Sequence, residues 1–311
     1  MDTEFDVIIA GGGIAGLTAA VTAARLGRKT LVLTGDVPGG QLMSIEKIDG
    51  YPGFPEGVPG YDLCPMLQDQ AAAAGAEFMI TGLERLVAQD GGWRVTTGEG
   101  DIRARAVIIA TGSSLKKLNV PGEERLTGYG VSHCASCDAP LFRDRIVAVV
   151  GGGDSAMQEA LTLAAFASKV IILHRGDALT GQACYRDRVT AHQKIDIRFN
   201  TAVTEILGET KVTGLRTRKS REGAIADLEV AAIFAYVGLQ PNTAVLQDRL
   251  GLDLAGRIPT DGWMRSELAG VCAAGTVRSH SPCRAVSAAG DGASAAVTVD
   301  RYLMDGSWRE G

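Results

Sequence analysis

Val7-Ile8-Ile9-Ala10-Gly11-Gly12-Gly13-Ile14-Ala15-Gly16 decides the fold. The four apolar residues read as a short buried parallel strand. The glycines that follow match G-x-G-x-x-G, and an Ala-rich stretch over residues 17–26 reads as a helix ended by Gly27. Gly11 permits the tight turn, Gly13 lets a pyrophosphate approach the backbone, and Gly16 lets helix and strand pack closely. Residues 29–33 form the next strand. Where many dinucleotide folds place a carboxylate for the ribose, this chain has Thr34, with Gly35 and Asp36 after it. The flanking strand and helix give the glycine motif its meaning as a dinucleotide cradle.

The same unit recurs downstream. A strand over 145–150 runs into Gly151-Gly152-Gly153-Asp154-Ser155-Ala156, a G-x-G-x-x-A fingerprint, followed by an Ala/Leu-rich helix and a strand over 169–173. The interval from Gly11 to Thr34 equals that from Gly151 to His174. Two copies in register imply two nucleotide-binding domains of one design. Between them we expect a helix over 61–75, strands over 78–87 and 93–97 joined by a turn at 89–92, and a buried strand over 106–110 closed by Thr111-Gly112. After the second unit, strands over 199–207 and 212–218 suggest a small antiparallel insertion, and 229–237 reads as a strand. Short strands over 258–260 and 271–274 precede Gly275-Thr276. A helix over 287–303 returns to the first domain and makes it discontinuous. Irregular segments at 113–124 and 238–242 serve as linkers. The expected division is 1–116 with 246–311, and 117–245.

Composition narrows the class. A chain of 311 residues is long enough for two domains with their own cores. It is 46% hydrophobic and 22% charged, and its 40 glycines against 10 prolines suit many tight strand-to-helix turns. A net charge of −5 offers no basic surface for nucleic acid or membrane. No apolar stretch approaches the ~18 residues of a spanning helix. The acidic start runs straight into a strand, so it does not read as a signal peptide, and the expected compartment is the cytoplasm. Six cysteines are too few for a disulfide scaffold.

Between the fingerprints lies His133-Cys134-Ala135-Ser136-Cys137-Asp138. Two thiols two residues apart read as a redox pair, as half a zinc site, or as buried thiols. Zinc needs further ligands, usually a second close pair, and Cys184, Cys272 and Cys283 stand singly. No metal is expected. Cys64 and Cys272 read as core residues. Cys184 and Cys283 fall in polar loops, where a second redox pair is conceivable. Asp138 is either a helix cap or an acid/base beside Cys137; His133 either tunes Cys134 or merely packs.

Taken together, these motifs resemble low-molecular-weight thioredoxin reductase and, more loosely, the flavoprotein subunit of alkyl hydroperoxide reductase. The resemblance runs nearly end to end. It rests on Gly39-Gly40-Gln41-Leu42, Tyr51-Pro52-Gly53-Phe54, Ala110-Thr111-Gly112, the cysteine segment, Gly151 to Ala156, the Pro241-Asn242-Thr243 turn, and Ala285 to Gly292. It implies an α/β fold of two Rossmann-like dinucleotide-binding domains, each a three-layer ββα arrangement. It also implies a homodimer, with FAD in the first domain and a nicotinamide nucleotide, NADPH or another, in the second. FAD would lie against Gly11, Gly13, Gly16, Thr34, Gly35, Gly40, Gln41, Thr111, Gly112, Gly275, Thr276, Arg284 and Ala285. The nicotinamide nucleotide would lie against Gly151, Gly153, Ala156 and Arg175. By the same resemblance Cys134 and Cys137 form the redox disulfide with Asp138 as acid/base. Cys137 would face the flavin and Cys134 would attack the disulfide of thioredoxin or a similar protein.

The chain departs from this pattern in places. The family follows its strand over 169–173 with His-Arg-Arg and a further Arg, which grip a 2′-phosphate. Here the run is His174-Arg175-Gly176-Asp177-Ala178-Leu179-Thr180, with Arg186 and Arg188 as candidates to compensate. Gly275-Thr276 replaces the usual Gly-Asp, and Pro282-Cys283-Arg284 replaces a Tyr-Arg-Gln run. Three functions remain in view. One is a flavin disulfide reductase fed by NADPH or another donor. The second is a flavin dithiol oxidase that closes a disulfide in a small molecule with oxygen as acceptor. The third is a flavin-binding redox sensor without turnover.

Overall fold

The structure is a computed structural model and describes residues 4–89, 91–220 and 222–308. In chain order its elements begin with β1 (Glu4–Ala10), α1 (Ile14–Arg25), β2 (Thr30–Leu33), α2 (Gly60–Ala73), β3 (Glu77–Met79), β4 (Arg85–Gln89), β5 (Gly92–Thr97) and β6 (Gly100–Ile109). Then come β7 (Ser113–Leu115), β8 (Val131–Ser132), α3 (Ala135–Asp138), β9 (Ile146–Val150), α4 (Asp154–Ala164), β10 (Lys169–Leu173), α5 (Ala183–Ala191) and β11 (Ile195–Arg198). The last are β12 (Thr201–Leu207), β13 (Gly214–Lys219), β14 (Ile225–Glu229), β15 (Ala232–Ala235), β16 (Leu239–Pro241), β17 (Val271–Ala273) and α6 (Ala285–Asp305).

The chain forms two compact units. One holds the residues up to Ser114 and those from Gln240 on; the other is Leu115–Leu239. In the first unit the sheet order is β3-β2-β1-β6-β5-β4, and β17 also pairs with β6. The strands β3, β2, β1, β6 and β17 are parallel, whereas β5 pairs antiparallel with β4 on one side and with the first half of β6 on the other. In the second unit the parallel order is β11-β10-β9-β15-β8, and β12-β13-β14 form a separate antiparallel sheet.

Both parallel sheets are buried on both faces, which is why their strands read as unbroken apolar runs instead of alternating ones. In β1, Val7 and Ile9 enter one core with α1 and α6, while Ile8 and Ala10 enter another with Leu86 and Val95 of the antiparallel strands. In β9, Val147 and Val149 face Met157 and Leu163 of α4, while Ala148 and Val150 face Ile206 and Leu215 of the antiparallel sheet. Helices on one face and antiparallel strands on the other give each unit the three layers ββα.

Three expectations need correction, and two elements stand beyond those expected. The single strand over 78–87 is two. β3 joins β2 in parallel, the chain leaves the sheet around Thr81 and Gly82, and β4 begins a hairpin with β5. The strand over 229–237 is also two, because Glu229 ends β14 and the antiparallel insertion has three strands. Residues 258–260 contribute only an isolated bridge between Ile258 and Arg278. α5 and β11 stand beyond the expected elements: α5 is polar with only Tyr185 and Val189 buried, whereas β11 does alternate, Ile195 and Ile197 facing the core, over a run of just four residues. The expected turn at 89–92 includes residue 90, which lies outside the described residues.

Candidate active site

The two fingerprints form two cradles with almost the same backbone. Gly11 (φ +122°) and Gly151 (φ +146°) each take a conformation that a side chain would strain. Gly11 N–H donates to Leu33 O at 2.8 Å, and Gly151 N–H donates to Leu173 O at 3.1 Å. Gly13 and Gly153 then cap α1 and α4 in extended conformations. A β carbon built on either would meet nothing within 4 Å, so each cradle opens onto free space at a helix N-terminus. That space suits a pyrophosphate, which backbone N–H groups and the helix dipole favour there. Gly16 is closed by contrast: a β carbon there would land on the carbonyl oxygen of Gly11.

Around the first cradle, Thr34 is buried, and its hydroxyl donates to the carbonyls of Gly35 (3.0 Å) and Met79 (3.3 Å). Gly35 N–H donates to Thr81 O at 2.9 Å. The chain returns over the cradle where Gly39 N–H donates to Gly12 O at 2.9 Å, and a β carbon on Gly40 would lie 3.2 Å from Gly13 Cα. Gln41 is exposed beside it. Cys64 lies buried beneath this loop and donates to Gly39 O at 3.4 Å; burial pushes its thiol up to about 11.

Thr111-Gly112 and Gly275-Thr276 meet at the end of β6 and β17. Ser113 Oγ donates to Thr276 O at 3.1 Å, and Thr276 Oγ1 lies 3.6 Å from where a β carbon on Gly112 would sit. A β carbon on Gly275 would come 3.0 Å from that of Ala15, so this turn lies against the first turn of α1. Asn242 clasps the same corner. Thr111 Oγ1 donates to Asn242 O (2.8 Å), Asn242 Nδ2 to Thr111 O (2.9 Å), Asn242 N–H to Gly112 O (3.0 Å) and Ser114 Oγ to Asn242 Oδ1 (2.8 Å). Arg284 and Ala285 open α6, with Arg284 exposed.

At the second cradle Ala156 is fully buried. The His174 ring covers Gly152, whose β carbon would collide with it, and also approaches Gly176. Thr180 N–H donates to Gly152 O at 2.8 Å, matching the Gly39 bond of the first cradle. Asp154 then accepts from Gln182 N–H (2.6 Å) and Gln182 Nε2 (3.2 Å). Arg175, Arg186 and Arg188 are exposed.

Cys134 and Cys137 form a disulfide across one helical turn, with Cα atoms 5.3 Å apart. Cys134 is the N-cap of α3, and its sulfur accepts from Cys137 N–H at 3.2 Å, with Ser136 Oγ 3.4 Å away. Cys134 is half-buried and Cys137 exposed. Donors around a sulfur at a helix N-terminus favour its thiolate. The helix is held from below by α4, where Glu159 accepts from Ala135 N–H at 3.0 Å, and Cys134 N–H donates to Ser132 Oγ at 3.1 Å. Tyr236 is buried here and its hydroxyl lacks a well-formed hydrogen bond. Its pKa is pushed up by burial first and then by the Glu159 carboxylate. His133 Nδ1 contacts Ala235 O at 3.2 Å, which gives it a backbone partner instead of a cysteine. Asp138 is half-buried at the end of α3.

Cys64 and Cys272 are buried, and Cys184 and Cys283 are free and exposed. Glu159, Asn242 and Asp154 were not singled out from the sequence as site residues. Asp154 lies inside the second fingerprint and Asn242 inside the Pro241-Asn242-Thr243 turn, while Glu159 stands three residues beyond the fingerprint's Ala156.

The family described as pyridine nucleotide-disulphide oxidoreductase matches residues 5–292. A thioredoxin reductase of Mycolicibacterium smegmatis is 40% identical over 304 residues, which is 97% of this chain and 98% of that protein. One of Treponema pallidum is 37% identical over 303 residues, again 97% and 98%. Among solved structures, a Lactococcus lactis thioredoxin reductase in the FR conformation has a TM-score of 0.94 at 35% identity, covering 97% of this chain and 99% of its own.

Proposed function

The chain belongs to the pyridine nucleotide-disulphide oxidoreductase family and is an oxidoreductase of the thioredoxin-reductase type; from that premise we propose that it passes electrons from NADPH, through FAD and the Cys134–Cys137 disulfide, to thioredoxin or a similar disulfide protein. The observation that carries the reading is the Cys134–Cys137 disulfide, capped into α3 and anchored on the helix that opens at the second cradle. FAD suits the first unit, because the free space at Gly13 admits a pyrophosphate and the turns at Gly112 and Thr276 flank the same helix end. The nicotinamide nucleotide suits the second, where Gly153 offers the same opening.

FAD, when bound, supplies two-electron exchange between a nicotinamide hydride and a dithiol. The remaining chemistry belongs to the chain. Reduction of Cys134–Cys137 takes two electrons and two protons, and Asp138 is placed by sequence to move one of those protons at Cys137. The Cys134 thiolate, favoured by the Cys137 N–H and the Ser136 hydroxyl, attacks one sulfur of the partner disulfide. A mixed disulfide forms and a partner thiolate leaves. Cys137 then attacks the Cys134 sulfur and expels the partner sulfur held there, which closes Cys134–Cys137 again and releases the partner dithiol carrying both electrons.

Among the described residues no helix is long and apolar enough to cross a membrane. The reading has the protein act in the cytoplasm as a homodimer. Anaerobic addition of NADPH to the purified yellow protein tests it. Bleaching near 450 nm followed by reduction of thioredoxin is the expected result. With Cys134→Ser/Cys137→Ser the bleaching persists and thioredoxin stays oxidised. Bleaching by a dithiol alone, with recovery in air, would instead make the protein a dithiol oxidase.

A further inference from the structure

Behind the turn Gly275–Val277 lies a charge pair that the reaction itself does not use. Asp291, in α6, is only 6% exposed. Its carboxylate accepts a forked pair from Arg278, Nε to Oδ2 and Nη2 to Oδ1, both at 2.7 Å. The same Oδ2 accepts Gly275 N–H at 3.1 Å. The remaining arm of Arg278, Nη1, donates to Ser279 O at 3.0 Å.

A buried ion pair is weak evidence of stability, because desolvation cancels most of its attraction and apolar replacements are often as stable. What such a fork does fix is location, since its bonds are short and planar. Here the located object is a backbone amide. Gly275 has φ +80°, and Arg278 N–H closes the turn by donating to Gly275 O at 3.3 Å. The carboxylate cannot drift, because Asp291 adjoins Gly292, where a β carbon would land on Ala15 O of α1. The amide of Gly275 is therefore pinned to the same helix end that forms the first cradle, and Thr276 is presented beside Gly112.

We propose that Asp291 and Arg278 are the positioning pair for the Gly275–Thr276 turn and so set how tightly, and in what environment, the first unit holds FAD. The inference rests on the FAD reading given above. Thr276 brings a hydroxyl and no charge, so its orientation alone determines any bond it makes. The fork supplies that orientation through Gly275.

The test compares two ion pairs on one helix. Arg28 Nε donates to Asp300 at 2.6 Å near the other end of α6, far from the turn in sequence and with side chains also mostly buried. Apo-protein of wild type, Arg278→Lys, Asp291→Asn and Arg28→Lys is titrated with FAD by quenching of flavin fluorescence. Melting temperature and visible circular dichroism of the bound flavin are recorded alongside. The expected result is at least a tenfold weaker Kd and an altered flavin dichroism for Arg278→Lys and Asp291→Asn. Arg28→Lys lowers the melting temperature but keeps the Kd within twofold. If Asp291→Asn does not fold, Arg278→Lys carries the comparison. Wild-type affinity in the Arg278 and Asp291 variants, or the same loss in Arg28→Lys, overturns the proposal. Failure of the wild-type apo-protein to take up FAD at all would overturn the FAD reading instead.

Discussion

The two cradles share a backbone and differ in almost every side chain around it. Both open with a glycine at positive φ, cap a helix with an extended glycine, and leave free space at that glycine. Both are crossed by a returning chain whose N–H donates to the middle glycine, from Gly39 in one and Thr180 in the other. Yet the first closes its strand end with buried Thr34 bonded to backbone, and the second with the His174 ring laid over Gly152. At the sixth fingerprint position the first cradle has Gly16 pressed against Gly11 O, whereas the second accommodates the β carbon of Ala156. The shared part is what a pyrophosphate requires of a backbone. The differing part is what each neighbouring layer requires of a side chain.

The largest effect is expected where that asymmetry is steric. Gly16→Val drives a branched side chain into the Gly11 carbonyl, so the purified protein should be colourless or unfolded. The mirror change, Ala156→Gly, should cost only about 0.5–1 kcal/mol of stability, the usual penalty for glycine in a helix. Absorbance at 450 nm relative to 280 nm and a thermal melt check both. Equal damage from the two changes would abolish the distinction.

Next comes Gly152→Ala, whose β carbon meets the His174 ring. The KM for NADPH should rise at least tenfold with full flavin content, and Gly152→Ala/His174→Ala should recover part of the loss. No recovery would mean that the ring is not the obstacle.

Arg175→Gln addresses selectivity. A hydrogen bond to a charged group contributes about 1.5–3 kcal/mol, so kcat/KM with NADPH should fall roughly tenfold or more while that with NADH holds. A parallel fall with both donors would show that Arg175 orients the nucleotide without reading its phosphate.

The smallest effect concerns Cys64, which supports only the first cradle. Its folded pKa, raised to about 11 by burial, exceeds the unfolded value. The buried neutral thiol therefore contributes fully below the unfolded pKa, and that contribution fades as pH rises toward 11. Flavin loss should begin at lower alkaline pH in wild type than in Cys64→Ala, relative to each protein's own value at pH 8. Native-state alkylation at pH 8 should spare Cys64 and reach Cys184 and Cys283.

The paired fingerprints were readable because glycine spacing acts on neighbours a few residues away. Helix α6 was readable as a helix from its Ala-rich run with Gly290 and Gly292 near its start. The strand over 78–87 was misread because an apolar run does not say which strand it will pair with. β3 pairs in parallel and β4 antiparallel, and only the layers on either side decide where the chain changes sheet. α5 was missed because its apolar face is just Tyr185 and Val189.

By itself the sequence determined whatever depends on local sterics and covalent proximity. That covers two strand–turn–helix units of one design and a pair of cysteines close enough to close a disulfide. Tertiary structure alone decided which distant groups meet: Glu159 under Ala135, Asn242 on Thr111, and Asp291 on Arg278 and Gly275. A side chain on one element reaches a backbone amide on another only after both layers have packed. The sequence names the donors and acceptors, and the packed layers choose among them.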